Sequence, residues 1–214
     1  MEIEAIRRMV CDAGVRMLES GMVAGTWGNI SMRAGDGSMV ITPSGMDYRR
    51  LKPEEMVVMN IDDLSYAGHL KPSMEGPLHA AIYRARPEIH AIIHNHSTTA
   101  CSIAAARKDI PPILDDMVQI VGGAIKVTDY ALPGTADIAE NALAKLEDRN
   151  AVLLANHGAV CLGRTLDEAF VTALVVEKAC RVFLDTQCFG GPVELPAEYV
   201  ALMRKFFLEQ YGQR

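Results

Sequence analysis

Ala91-Ile92-Ile93-His94-Asn95-His96, taken with Ala151-Val152-Leu153-Leu154-Ala155-Asn156-His157-Gly158, decides the fold class of this 214-residue chain. Each stretch opens as a short apolar run and passes straight into histidine. A run without polar alternation is a strand with no solvated face, so it needs cover on both sides. Helical cover is available around both. Glu75–Arg86 reads as a helix ended by Pro87, Ser97 can cap one running to about Arg107, and Thr135 can cap one running to Asp148. Thr165-x-x-Glu168 is a capping box that opens a long helix towards Cys188.

Further out, Ile3, Ile6, Met9 or Val10, Ala13 and Met17 recur at helical spacing, predicting an amphipathic helix over 3–19 that stops near Gly21. Short strands are predicted around Ile30–Arg33 and Met39–Thr42, joined by a Gly35-Asp36-Gly37 turn, and at Val57–Ile61 and Ile125–Thr128. A short helix precedes Gly122-Gly123, and Pro196–Tyr211 closes the chain as a last helix. Short strands alternating with helices predict an α/β sheet sandwiched by helices. With no repeat, linker or low-complexity stretch, residues 1–214 read as one domain.

Half the chain is apolar and 22% charged, ordinary for a globular protein, and the net charge is -6. That charge offers no footprint for nucleic acid or an anionic membrane, so any phosphate must be gripped locally, by a loop or a helix end. No apolar run approaches the roughly 20 residues of a membrane span. Met1–Met9 carries Glu2, Glu4, Arg7 and Arg8, which makes it an amphipathic helix and no signal peptide. The five cysteines form no Cys-x-x-Cys pair, and reduced thiols in the cytoplasm are the expectation.

The chemistry concentrates at strand ends. In a strand, residues two apart point the same way, so His94 and His96 can face one ion. Alone, such a pair also fits two polar residues that start a loop. His157 follows the second buried strand, and strand ends in open α/β sheets are where ligands gather. Three histidines delivered this way leave one tetrahedral position open, as a catalytic zinc requires. His69 and His90 are expected to be exposed. Glu75, taken alone, reads as a first-turn carboxylate that complements the helix dipole. His79 lies on the same helix face, packed or supporting. Thr26–Ser31 and Pro43-Ser44-Gly45 offer hydroxyls, an amide and open backbone N–H groups, which suit a phosphate where cations are few, although turn chemistry alone also explains them.

Gly28-Asn29-Ile30-Ser31, Ile41-Thr42-Pro43-Ser44-Gly45, Lys71-Pro72-Ser73-Met74-Glu75, His94-Asn95-His96, Asn156-His157-Gly158 and Tyr211-Gly212 together resemble the class II aldolase/adducin family, in its order and over nearly the whole chain. The resemblance implies a three-layer α/β/α sandwich around a central, largely antiparallel sheet. It also implies a homotetramer with active sites between adjacent subunits. By position, His94, His96 and His157 match the zinc ligands, and Glu75 the acid/base that also ligates the metal. Thr26, Gly28, Asn29, Ser44, Gly45 and Ser73 match the phosphate-binding positions, and Tyr211 a tyrosine that closes over the substrate. The implied cofactor is Zn2+, with Mn2+ or Co2+ as alternatives.

Two positions depart from the pattern. Met74 stands where a second serine is usual, and Asp116, beside Asp115, stands where a catalytic tyrosine is found. The implied reaction is reversible cleavage of a deoxyketose 1-phosphate to dihydroxyacetone phosphate and an aldehyde, through an enediolate. The alternatives are a sugar-phosphate 4-epimerase, which uses an aspartate near Asp116, a decarboxylase on the same scaffold, and an adducin-like assembly domain that catalyses nothing.

Overall fold

Helix α1, Ile3–Glu19, buries Ile6, Val10, Ala13 and Met17 along one stripe, as the spacing predicts. Burial of Ile6, Val10 and Met17 contributes about 1.5–3 kcal/mol for each side chain relative to an exposed one. The chain leaves α1 through Gly21, whose φ of 70° continues a turn that a side chain would strain. The computed structural model describes residues 2–211.

Among these residues seven strands form one sheet in the order β3-β2-β1-β4-β7-β6-β5. They are β1 (Asn29–Arg33), β2 (Ser38–Ile41), β3 (Val57–Asn60), β4 (Ala91–Asn95), β5 (Lys126–Val127), β6 (Ala151–Leu154) and β7 (Gly158–Gly163). Every pairing is antiparallel except β5 with β6. The remaining helices are α2 (Gly76–Ala85), α3 (Thr98–Ala106), α4 (Asp115–Val121), α5 (Ala136–Leu146), α6 (Leu166–Thr186) and α7 (Ala197–Gln210).

Alternate residues of the central strands enter two separate cores. Ala91 and Ile93 of β4, Leu153 of β6 and Cys161 of β7 pack with residues of α1, α3, α4 and α6. Ile92, Val152, Val160 and Leu162 pack on the opposite face with residues of α2 and α5. This is a three-layer α/β/α sandwich with a mostly antiparallel sheet, and the expected double cover of the apolar strands is present.

Strand β7 is additional to the strands expected from the sequence. It is buried throughout, pairs with both β4 and β6, and so turns the end of β6 into a hairpin. Glycines at both of its ends look like loop punctuation in a sequence. Here Gly158 packs so close to β4 that an added Cβ would lie 2.3 Å from the Asn95 carbonyl oxygen.

Three of the expected capping contacts are not made. Thr165 accepts from the Glu168 N–H at 3.1 Å, as expected, but the Glu168 carboxylate turns back to the Arg164 N–H and guanidinium. Ser97 and Thr135 stand at their helix starts without capping through their side chains. At α3 the cap comes from a distant element. The Glu177 carboxylate on α6 accepts from Thr99 N–H at 3.0 Å and Ala100 N–H at 2.9 Å. A charge supplied across the fold does the local serine's work, which no sequence window reveals.

Candidate active site

The register of β4 fixes the first two histidines. His94 pairs with Asn29 of β1 and Val160 of β7, at the centre of the sheet, and its ring points to the α2 side. His96 follows two residues later on the same face. His157 sits in the β6–β7 turn, where Asn156 takes a left-handed φ of 58° and the His157 N–H closes onto Leu154 O at 3.0 Å. Asparagine tolerates that conformation better than most residues. Arg107 holds it there with two guanidinium hydrogen bonds to Asn156 Oδ1, at 3.2 and 3.0 Å.

The three rings form a pinwheel. Each pair of centroids is 4.8 Å apart, with interplanar angles of 72°, 71° and 75°. Glu75 enters from the N-cap of α2. Its Oε2 is 3.1 Å from His94 Nε2 and its Oε1 3.6 Å from His157 Nε2. The carboxylate makes no capping bond to its helix, so its orientation answers to the histidines and not to the helix dipole.

Electrostatics shows what belongs at the centre. Burial, reinforced by the neighbouring His157, pushes the His94 pKa down to about 3. Burial likewise pushes His96 down to about 3, with His94 and His157 adding to the effect. Both rings are therefore neutral at physiological pH. His94 Nδ1 is 3.0 Å from the Ala159 carbonyl, which can only accept, so the ring hydrogen is on Nδ1 and Nε2 presents a bare lone pair. That lone pair faces His96 Nε2 at 2.9 Å and a carboxylate oxygen at 3.1 Å. A hydrogen on His96 would reconcile one of these approaches and leave the carboxylate facing a lone pair. Glu75 Oε1 and His157 Nδ1 are also buried without a hydrogen-bond partner among the described residues. Converging acceptors with nothing to donate to them fit a cation, and His94, His96 and His157 are grouped closely enough to hold a metal ion.

Behind this cluster a polar layer fixes Glu75. Asn29 Nδ2 donates to Glu75 Oε2 at 2.8 Å, and Ser73 Oγ accepts from the Glu75 N–H at 3.3 Å. Ser73 in turn is tied by its N–H to Thr42 O, and Ser44 N–H to Lys71 O, each at 3.0 Å. These bonds flank a bridge between Pro43 and Pro72, so the two loops are zipped together. Asn29, Ser73 and Glu75 thus adjoin, with Ser44 and Gly45 exposed on the paired loop and Thr26 exposed before β1. Gly28 serves packing: its φ is 76°, and a Cβ would meet the His94 carbonyl oxygen at 2.7 Å.

His79 is a buried supporting residue, with Nδ1 2.7 Å from Ser31 Oγ, which also contacts Tyr83 OH at 2.9 Å. His69 and His90 are exposed, as expected. Two candidates are not brought to the cluster within one chain. Asp116 opens α4, where its carboxylate meets Lys178 Nζ, and Tyr211 follows α7. Both line a separate cavity of about 900 Å³. Gly212 lies outside the described residues. Two aromatic residues were missed by sequence reasoning, Trp27 and Tyr130, which line a cavity of about 350 Å³ beside His96 and His157. The signal available was an isolated aromatic in each of two glycine- or proline-bearing loops.

The description "Class II Aldolase and Adducin N-terminal domain" belongs to the family model that matches residues 8–184. The chain belongs to this family. A 5-deoxy-D-ribulose 1-phosphate aldolase of Bacillus thuringiensis serovar kurstaki is 34% identical, over 100% of both chains. The L-fuculose phosphate aldolase of Escherichia coli is 32% identical, over 100% of this chain and 99% of its own. A solved L-fuculose 1-phosphate aldolase matches with a TM-score of 0.90 at 35% identity, covering 95% of this chain and 96% of that one. This class II family member is accordingly an enzyme, a carbon–carbon lyase, and class II aldolases are metal-dependent.

The β4–β7 contact of this aldolase yields a first prediction. Gly158→Ala is expected to cost about 1–3 kcal/mol of stability, because the strands must part to admit the methyl group. Urea denaturation measures it. An unchanged midpoint would mean the strands separate more easily than their packing implies.

Proposed function

We propose that this protein, a single domain over 1–214, is a zinc-dependent aldolase that reversibly cleaves a deoxyketose 1-phosphate to dihydroxyacetone phosphate and a short aldehyde. The observation that carries the reading is the Glu75 carboxylate set among three converging imidazoles. His94, His96 and His157 would hold the ion, with Glu75 as a further ligand at rest. When bound, the ion supplies Lewis-acid stabilisation for the charge that builds on the substrate oxygens during cleavage.

The remaining work falls to the chain. Breaking the bond beta to the carbonyl leaves its electron pair on the dihydroxyacetone phosphate half, as an enediolate, while the hydroxyl proton of the aldehyde half passes to Glu75. Glu75 then delivers a proton to the enediolate carbon. Asn29 keeps Oε2 engaged, so Oε1, buried and without a hydrogen-bond partner among the described residues, is the oxygen that carries the proton. The Ser73 hydroxyl, the Asn29 amide, the open loops at Thr26–Gly28 and Ser44-Gly45, and their N–H groups grip the phosphate. That grip keeps the reacting carbons in register beside Glu75. The names of the two relatives, which specify 5-deoxyribulose 1-phosphate and fuculose phosphate, support a phosphorylated deoxy sugar.

Tyr211 and Asp116 enter the reading from a neighbouring copy in a homotetramer. Their distance from the histidines within one chain, on a cavity of their own, supports an active site completed between subunits. An epimerase or a decarboxylase would use the same Glu75 and histidines. The engagement of Asp116 with Lys178 and with the Met117 N–H gives the epimerase no positive support. A cytoplasmic location is proposed with the function, and no described helix is long and apolar enough to cross a membrane.

The test is proton exchange on dihydroxyacetone phosphate in deuterated buffer, with zinc-loaded enzyme and no aldehyde. Stereospecific loss of one hydrogen from the hydroxymethyl carbon is expected. Absence of exchange with zinc stoichiometrically bound would overturn the aldolase reading.

A further inference from the structure

The 350 Å³ cavity beside the histidines has a wall that the proposed chemistry does not use. Trp27 is the only tryptophan of the chain, and 66% of its surface is exposed. Its ring lies 5.9 Å from that of His96, inclined by only 29°. Tyr130, Ala131 and Pro133 line the same cavity, together with His96 and His157.

The indole is held there by its backbone. Trp27 N–H reaches Ala24 O at 3.4 Å, and Tyr48 OH donates to Gly28 O at 2.7 Å and lies 3.4 Å from Trp27 O. Gly28, next in the chain, is pressed against β4 so closely that no side chain fits. A large aromatic fixed in the open beside polar chemistry is a surface built to be covered.

What covers it follows from the two sides of the site. The candidate phosphate groups Asn29, Ser44, Gly45 and Ser73 are absent from this cavity, whereas His96 and His157 belong to it. A substrate anchored by its phosphate near Ser73 and reacting at Glu75 therefore runs out over His96 towards Trp27. Among the described residues no carboxylate, ammonium or guanidinium lines the cavity, so nothing there pairs with a charged substrate tail.

We infer that Trp27 is a specificity-determining residue, whose indole is the platform for an apolar tail on the aldehyde half of the substrate. The inference rests on the aldolase reading and goes beyond it by assigning the tail's chemistry and the residue that selects it.

Propionaldehyde and glycolaldehyde, alike in size and differing by methyl for hydroxyl, test it as acceptors for dihydroxyacetone phosphate. Wild-type enzyme is expected to favour propionaldehyde in kcat/KM. Trp27→Ala is expected to lower that preference about 10-fold, the discrimination a single apolar contact supplies. Trp27→Phe should restore most of it, which a merely structural role would not predict. A preference unchanged within about two-fold in Trp27→Ala would overturn the inference.

Tryptophan fluorescence of the wild type provides a readout independent of any variant's folding. With zinc and dihydroxyacetone phosphate present, saturating propionaldehyde should shift the emission to the blue and glycolaldehyde should not. No shift would refute the platform. So would emission that is blue beforehand and moves with protein concentration, the mark of a second copy covering Trp27. Failure of the aldolase reading is registered separately, as absent proton exchange without aldehyde.

Discussion

Glu75→Gln is expected to keep the metal and the fold while losing roughly 10²–10⁴-fold in the rate of proton exchange on dihydroxyacetone phosphate, the range general acid–base groups contribute. Glutamine fills the same volume, and its amide oxygen can still accept from Asn29 Nδ2, so the polar layer behind the site survives. What it cannot do is take up and return a proton. The carboxylate is also a costly group to bury, at 6% exposure, and removing its charge removes that cost. Stability should therefore hold or rise while catalysis collapses. Exchange rate and zinc stoichiometry, measured on one sample, check this. Exchange at a rate within about three-fold of wild type would place the base elsewhere.

His94→Ala should abolish metal retention and activity together. His94 is fully buried, lies between Glu75 and His96, and is oriented by the Ala159 carbonyl. Groups that merely orient a ligand cost 10–100-fold in affinity when lost, so loss of the ligand should exceed about 100-fold. The substitution also leaves a cavity where a fully buried ring stood, which should destabilise the protein even before metal is considered. Elemental analysis after dialysis against a chelator checks the first effect, with His157→Ala as the parallel variant. Full zinc occupancy in both would remove the proposed site.

The parts of this site legible in the sequence are those whose geometry is local. His94 and His96 share a face because a strand has a period of two, and the apolar runs before His94 and His157 give both as strand ends. Glu75 is different. Its position at the start of a helix is readable, yet its direction depends on β1 lying beside β4, since Asn29 on β1 is what holds its carboxylate. Locally the residue looks like a dipole-complementing carboxylate, and family resemblance alone implied its role. Strand β7 was hidden by its terminal glycines, and with it the reason for them, a close approach to β4. The cap of α3 by Glu177 and the Trp27–His96 stack were out of reach for the same cause. Each joins residues far apart in sequence, and nothing in either neighbourhood names the other.

The pairing of β4 with β7, which sets Asn95 opposite Ala159, has a consequence for the way the molecule gains its ion. Two proposed ligands come from β4 and its end, and the third from the turn that leads into β7, so the trio exists only once these strands are in register. A chain with the sheet unformed has scattered histidines and no chelate. Metal binding and assembly of the central sheet are thereby linked equilibria: the ion draws the population towards the folded form, by about 4 kcal/mol when free metal is 1,000 times its dissociation constant. The ion would then be a latch on the architecture as well as a reagent, and metal supply would govern how much of the enzyme persists as well as how fast it turns over.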